Sequence, residues 1–205
     1  MINRAHAKRR KAEKDAGRDT GSAQLSDLNY LLGVLDSSRI GALRFKDNAD
    51  GPFLDVPHND NLPEGTHEVP LQTLLQASKA LESGKETAMD LAYLKGRGTS
   101  LGGMRPKATV LKPDGTLAIA KFPSVSDTRD VARGEVLALL LAKEAGLNAS
   151  EAEVVMSGVQ AVALIVRFDR PRTGGRIPYL SAASLLQLDS RDDGAYTQIA
   201  EAIDR

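Results

Sequence analysis

The sequence predicts an α+β fold in which a mostly helical N-terminal segment precedes an antiparallel sheet with one packed helix. Leucines recur at helical spacing in residues 25–35 and 71–81, a period typical of amphipathic helices. Beyond residue 98, two pairs of apolar runs are each joined by a short turn, as in β-hairpins. A strongly apolar helical stretch, 128–145, lies between the two pairs.

The chain divides into three segments of different composition. Residues 1–24 form a basic, polar lead-in, residues 25–97 a segment of helices with a short hairpin, and residues 98–205 the sheet region. The first 20 residues carry seven Lys and Arg against three acidic residues. An arm that touches nucleic acid and a solvated, partly helical surface both fit this excess, and mixed charge of this kind more often marks a solvated surface.

Residues 25–97 begin with the amphipathic helix over LSDLNYLLGVL. RIGALRF (39–45) and PFLDV (52–56) flank the turn-rich KDNADG, so they predict the hairpin. LQTLLQASKALE and ETAMDLAYLKG predict two further helices, the second ending at Gly96 and Gly98.

The sheet region contains two predicted hairpins with a helix between them. RPKATVLK and LAIAKF are joined by PDGT, and EAEVVM and QAVALIVRF by Ser157-Gly158. Between the hairpins, SDTRDVARGEVLALLLAKEAG starts with hydroxyl and acidic residues and ends at Gly146, as helices commonly do. IPYLSAASLLQL fits neither period, and a short polar helix is expected from there to the C-terminus.

The composition excludes several classes of protein. The 27 Lys and Arg balance the 27 Asp and Glu, which argues against a partner bound by overall charge, such as duplex DNA. No apolar run approaches the roughly 20 residues of a membrane span, and the N-terminus lacks the apolar centre of a secretory signal. Cysteine is absent, as suits a reducing compartment, so we expect a cytoplasmic protein without membrane contact. The three histidines have no metal-ligand spacing, and no metal site is predicted.

A Ser- and Gly-rich stretch, GTSLGGM (98–104), directly precedes the first hairpin. Its glycines suit backbone that approaches a phosphate, but Met104 stands where a P-loop requires lysine, and a strand follows instead of a helix. The dinucleotide-binding fingerprint fails as well, because the third glycine and the βαβ context are missing. The arrangement that remains is a loop over nucleotide phosphates followed by a hairpin whose second strand carries a lysine, as in protein kinases.

Lys121 is that lysine, and its surroundings in the sequence suggest a partner. Strand alternation places it on the same face as Leu117 and Ile119, so its ammonium is expected to be partly enclosed. An enclosed ammonium needs a carboxylate or a phosphate. Glu135, early in the following helix, is the candidate carboxylate. An ordinary edge-strand lysine beside an ordinary helix glutamate explains the spacing about equally well.

Four stretches, GTSLGGMRPKATV, AIAKF, GEVLALLLAKEAGL and VRFDR…IPYLSAASLL, resemble the HipA-like serine/threonine kinases, which are toxins of bacterial type II toxin–antitoxin modules. The resemblance extends over roughly residues 25–190. LLGVLDSSRIGALRF looks like the family's segment between a small N-terminal subdomain and the kinase small lobe. The resemblance thus implies a protein-kinase-like small lobe, hinge and start of the large lobe in residues 98–205.

The resemblance implies roles for the loop and for the start of the first strand. Ser100, Gly102 and Gly103 occupy the family's nucleotide-covering loop, where the serine is a site of inhibitory autophosphorylation. Lys107 matches the lysine that closes this motif. All four are therefore expected at the bound nucleotide.

The resemblance also implies the contacts beneath the loop. Lys121 matches the lysine that binds the ATP phosphates, with Glu135 as its partner. Arg167 and Phe168 match the hinge segment beside adenine. The family usually has an acid just before Arg-Phe-Asp-Arg, and Val166 replaces it here. This departure weakens a side-chain contact to adenine and leaves backbone hydrogen bonds.

Groups that a kinase requires are missing from the sequence. Phosphoryl transfer needs a catalytic Asp, and an Asn and a second Asp for Mg²⁺. No asparagine follows Asn148, and the Asp residues of the tail lie in no such pattern. We therefore expect a truncated kinase that lacks the large catalytic lobe and is inactive alone, and we assign no catalytic residue. ATP and Mg²⁺ are expected for the full-length family, with weak nucleotide binding by this chain.

Three functions remain at this point. The first is the small lobe of a HipA-like kinase, whose partners would be a protein substrate and a helix-turn-helix antitoxin, with DNA reached only through that antitoxin. The second is a non-catalytic module that docks on such an antitoxin or on a complementary kinase half. The third is an unrelated α+β domain in which Lys121 and Glu135 are structural.

Overall fold

A computed structural model of the chain describes residues 2–19, 24–54, 69–94, 97, 105–188 and 194–204. The predictions for Ser100, Gly102 and Gly103 therefore lie outside the described residues. Within them the chain has a mixed α/β fold with one four-stranded antiparallel sheet. In chain order the elements are α1 (Ile2–Asp15), α2 (Asp27–Leu32), α3 (Leu71–Glu82), α4 (Ala88–Leu94), β1 (Lys107–Leu111), β2 (Leu117–Lys121), α5 (Val131–Glu144), β3 (Ala152–Ser157), β4 (Gln160–Val166), α6 (Ala182–Leu185) and α7 (Tyr196–Ile203).

The helices predicted for the N-terminal half are confirmed, with α2 shorter than predicted. Ser26 caps α2 in a capping box with Asn29, a pattern that satisfies the first free N–H groups of a helix. Helices α3 and α4 pack against each other, and α1 packs against α4. Arg4 and Lys8 of α1 both pair with Glu86 just before α4. The basic lead-in is thus helical and attached to the second segment.

The hairpin predicted for 39–45 with 52–56 is not formed as two strands in the described residues. Only an isolated antiparallel bridge joins Lys46 to Phe53. The carbonyl groups of Arg39 and Gly41 accept hydrogen bonds from arginine side chains that follow β4. Because these carbonyl groups accept hydrogen bonds from side chains, they do not pair with the backbone of a neighbouring strand.

Both hairpins predicted for the second half are confirmed, and they join into one sheet of order β1-β2-β4-β3. Lys107 lies opposite Lys121 across β1 and β2. Lys121 lies opposite Ala163 across β2 and β4. Since directly opposed residues share a face of the sheet, these three side chains stand in one row.

The two faces of the sheet are covered differently. One face, which carries Ala108, Ala120 and Val162, packs with Phe122 against α3 and α4 and forms the larger core. On the other face, α5 places Ala132 and Val136 on Ala161 and Ala163. Helix α5 contacts β3 and β4 and leaves the β1–β2 half of this second face less covered. Within that half Thr109 is nevertheless buried, and its hydroxyl accepts from Arg167.

The segment after β4 contains the short helix α6, whose first turn is capped by Ser181. The predicted polar helix near the C-terminus is confirmed as α7. Across the described ranges, no helix combines the length and the apolar character that a bilayer crossing requires.

The larger core yields a test of the fold. Phe122 is 2% exposed, so Phe122→Ala should lower the free energy of unfolding by about 3–5 kcal/mol through lost transfer energy and a residual cavity. Val125→Ala is the nearby control, because Val125 is 58% exposed and its loss should change stability by less than about 0.5 kcal/mol. Urea unfolding followed by circular dichroism measures both, and equal losses would contradict this assignment of the core.

Candidate functional site

Lys121 lies at the border between the covered and the less covered half of the second sheet face. On one side its cross-strand neighbour is Ala163, which is fully buried beneath α5. On the other side its neighbour is Lys107, on a strand that α5 does not reach. The strand register thus brings an ammonium group to the edge of the helix.

Glu135 meets this ammonium group from α5. Lys121 Nζ donates a hydrogen bond to Glu135 Oε1, and the two side chains are 28% and 30% exposed. Asp130 caps the helix by accepting from the backbone N–H of Arg133, and the buried Val136 fixes the rotation of the helix. The contact predicted from the sequence is confirmed, and it is partly enclosed.

Lys107 adds a second ammonium group to the same row. Burial and the neighbouring charge of Lys121 lower the pKa of Lys107, although Glu135 acts in the opposite direction. Two ammonium groups and the carboxylate of Glu135 thus lie together at this edge of the sheet. An anion bound there would stabilise both protonated lysines.

The floor beside these lysines is apolar. Leu117 and Ile119 share the face of Lys121 by strand alternation, and Leu111 at the end of β1 is about half exposed. Cationic groups next to an accessible apolar surface are a combination that suits a ligand with a charged end and a flat, apolar end.

A further cation beside this row was missed from the sequence. Arg105 lies two residues before Lys107, and its Nη2 donates to Asp127 Oδ2 at 2.5 Å. Asp127 also accepts from the backbone N–H of Ser124 at 2.9 Å. No motif marks this pair, because its members are 22 residues apart and meet only when the first hairpin closes.

Arg167, which the resemblance places in the hinge segment beside adenine, has its side chain in a buried ion pair. The guanidinium group is 1% exposed and donates to both carboxylate oxygens of Asp169. It also donates to the carbonyl groups of Ser38 and Arg39, and the Arg167 backbone N–H donates to Leu117. The structure therefore uses Arg167 to attach the segment after α2 to the end of β4.

Phe168 is exposed and pairs with Tyr179 at 6.1 Å between ring centroids.

Asp169 is the centre of this buried network. Its Oδ2 accepts from the backbone N–H of Gly41 at 2.7 Å and from Arg170 at 2.8 Å. Burial alone would raise the pKa of Asp169, but the hydrogen bonds from Arg167 and Gly41 and the two guanidinium charges outweigh it and hold the pKa below its ordinary value.

Gly41 passes so close to Tyr179 that a side chain has no room. A Cβ added at Gly41 would lie 2.9 Å from the Tyr179 Cβ, and the backbone φ of Gly41 is +78°. Only glycine adopts this conformation readily. The RFDRPR run directly after a buried strand was the sequence signal for this network, since charged groups that follow a buried strand need partners.

A second carboxylate extends the network. Asp36 is buried and accepts from Arg44 and from Arg176. Burial again acts to raise the pKa of Asp36, and the two arginines lower it overall. The segment between α2 and α3 is thus joined to the segment after β4 by two buried carboxylates, Asp36 and Asp169.

The described residues contain no group of three or more His, Asp or Glu side chains placed to hold a metal ion. The carboxylates of the network are paired with arginines, and Glu135 is paired with Lys121.

Comparison with known proteins gives one match. Residues 99–205, just over half of the chain, match the family model of the HipA-like C-terminal domain. No curated protein and no solved structure matches significantly. The match starts at residue 99, so the resemblance predicted for residues 25–97 stays a prediction.

The lowered pKa values of the buried carboxylates predict an acid-sensitive fold. Because the pKa of Asp36 and Asp169 is lower in the folded than in the unfolded chain, their stabilising contribution is present above the unfolded pKa and is lost as pH falls through the folded pKa. The free energy of unfolding should therefore decrease progressively below about pH 5.

Asp169→Asn should weaken this acid dependence, since it removes one of the two buried aspartates whose pKa is lowered. Asp50→Asn, at an exposed loop position, is the control and should keep the wild-type dependence. Urea unfolding at a series of pH values measures the slopes. An Asp169→Asn slope equal to that of the wild type would show that this network does not set the acid sensitivity.

Proposed function

The chain belongs to the HipA-like C-terminal domain family, and on this basis we propose that its second sheet face binds the phosphates of ATP, as part of a kinase-like small lobe. The family context is that of serine/threonine kinases in toxin–antitoxin systems. One observation carries the proposal: Lys121 and Glu135 are in contact beside Lys107 on a partly uncovered face.

The charges of this face favour a phosphate over a neutral ligand. Lys107 and Lys121 are directly opposed, and like charges at this spacing repel each other. A phosphate placed between them removes that repulsion and gains charge-assisted hydrogen bonds. Glu135 already holds the Lys121 side chain, so less side-chain entropy is lost on binding.

The apolar floor supports a nucleotide rather than free phosphate. Leu117 and Ile119 offer a surface on which a base can lie, next to the lysine row. Bound ATP would supply the phosphoryl group for transfer. The part assigned to this chain is to hold and orient the phosphates through Lys107 and Lys121.

Phosphoryl transfer itself requires more than the described residues bring to this face. Orientation of the attacking hydroxyl and binding of Mg²⁺ need Asp and Asn side chains, and the carboxylates described near the sheet are already paired with arginine or lysine. We assign the chain the nucleotide-holding part of the reaction. Ser100 stays the proposed position of autophosphorylation.

Nucleotide binding can be tested with matched lysine variants. Lys121→Ala should weaken ATP binding at least about tenfold, because hydrogen bonds to charged groups contribute roughly 1.5–3 kcal/mol each. Lys112→Ala is the control, since Lys112 lies beyond the end of β1 and pairs with Glu153. Isothermal titration calorimetry measures both.

Two results would contradict the proposal. One is an absence of ATP binding by the wild-type chain. The other is an equal loss in Lys121→Ala and Lys112→Ala, which would indicate general charge attraction instead of a site.

A second candidate function is supported by the outer surface of α5. Leu137, Leu140 and Leu141 are each about half exposed along the helix, and Leu147 follows them. Apolar side chains at i, i+3 and i+4 form a stripe of the kind that packs on a partner helix. Docking of a helix-turn-helix antitoxin or of a complementary kinase half on this stripe is therefore the alternative proposal.

The α5 stripe can be tested without reference to nucleotide. The double variant Leu137→Ser/Leu141→Ser should lose co-purification with an antitoxin encoded beside this protein, because exposed apolar side chains supply much of the energy of helix docking. Val159→Ser, at a position 95% exposed in the turn between β3 and β4, is the control. Retained co-purification by the folded double variant would exclude the stripe as the docking surface.

A further inference from the structure

Arg105 stands next to the lysine row without being part of any predicted motif. Pro106 accepts a backbone hydrogen bond from Phe122 at 3.0 Å, so the β1–β2 pairing continues past Lys107 and holds Arg105 close to the end of β2. The charge of Arg105 acts on Lys107, and the charge of Glu135 acts on Arg105. Three cations therefore lie near one edge of the sheet, where the carboxylates of Asp127, Glu135 and Glu82 also act on Arg105.

Asp127 fixes the position of this guanidinium group. The carboxylate is held by the backbone N–H of Ser124 at 2.9 Å. Ser124 is itself attached to the end of α3, where its hydroxyl donates to Glu82 at 2.7 Å. The Asp127 carboxylate is thus held within a loop that Ser124 joins to α3.

The guanidinium group retains donors for a ligand. Its Nη2 donates to Asp127 Oδ2, and its side chain is 42% exposed. Arginine carries five N–H donors in a planar fork that matches phosphate oxygens. The donors not directed to Asp127 can therefore reach an anion without breaking the ion pair.

We infer that Arg105 is a third cationic ligand of the phosphate site and that Asp127 is the residue that positions it. The inference rests on the proposed function, since Lys107 and Lys121 define the site. It adds a planar, two-pronged donor to two point charges, a combination suited to a polyphosphate with several oxygens rather than to a single small anion.

A different outcome is expected if the ion pair of Arg105 with Asp127 has only a structural role. Exposed pairs contribute little to stability, so loss of Arg105 would then change neither anion binding nor, by much, the unfolding temperature. The two roles are separated by measuring binding and stability on the same variants.

The experiment is calorimetric titration of the full chain with ATP and with inorganic tripolyphosphate. Arg105→Ala should weaken both ligands by at least about tenfold, as expected for loss of a charge-assisted hydrogen bond, with little change in unfolding temperature. Arg105→Lys, which keeps the charge but not the fork, should recover part of the affinity. Asp127→Asn should give a smaller loss. Arg172→Ala is the control, because Arg172 is an exposed arginine paired with Asp114 and Glu151.

The outcomes separate this inference from the proposed function. If Lys121→Ala loses ATP binding while Arg105→Ala binds like the wild type, the phosphate site stands and the role of Arg105 is wrong. If Arg105→Ala and Arg105→Lys weaken ATP and tripolyphosphate no more than Arg172→Ala does, Arg105 acts only as an ion pair and the inference is overturned. If the wild-type chain binds neither ligand, both proposals are wrong.

Discussion

The ion pair between Lys121 and Glu135 is the interaction on which the account of this molecule depends. It forms because the β2–β4 register places Lys121 beside Ala163, at the edge of the surface that α5 covers. A lysine one position earlier would point into the larger core, because side chains alternate along a strand. The packing of α5 on the sheet thus determines that Lys121 is the lysine of the hairpin that pairs with Glu135.

A second constraint keeps the two parts of the chain together. Arg167 and Asp169 bind the backbone of residues 37–41 from the end of β4. Replacing one partner of such a buried pair leaves an uncompensated charge, which typically costs about 3–5 kcal/mol. Residues 37–41 are therefore fixed to the same sheet that carries Lys107 and Lys121. The hairpin with the two lysines is thus stabilised by contacts with the rest of the chain.

Local patterns in the sequence predicted much of the sheet region. They did not predict the polar contacts between residues that lie far apart in the sequence. Both hairpins of the sheet region, α5 and the contact of Lys121 with Glu135 are confirmed. Strand alternation and the helical period of apolar residues show which side chains share one face of a strand or helix. The hairpin predicted at 39–56 forms only as the bridge between Lys46 and Phe53 in the described residues, since carbonyl groups of residues 37–41 bind arginines about 130 positions away. The buried pair of Arg167 with Asp169 could not be predicted either. A motif gives the position of a residue along the chain but not the acceptors to which a buried guanidinium group donates.

The most direct test of the central claim is the reactivity of lysines toward an acyl-phosphate derivative of ATP, which acylates an amine held next to bound phosphates. Mass spectrometry of the digested protein would locate the labelled residues. The account predicts that Lys121 and Lys107 are labelled ahead of the other lysines and that excess ATP protects them. Labelling spread evenly over the surface lysines and unchanged by ATP would contradict it.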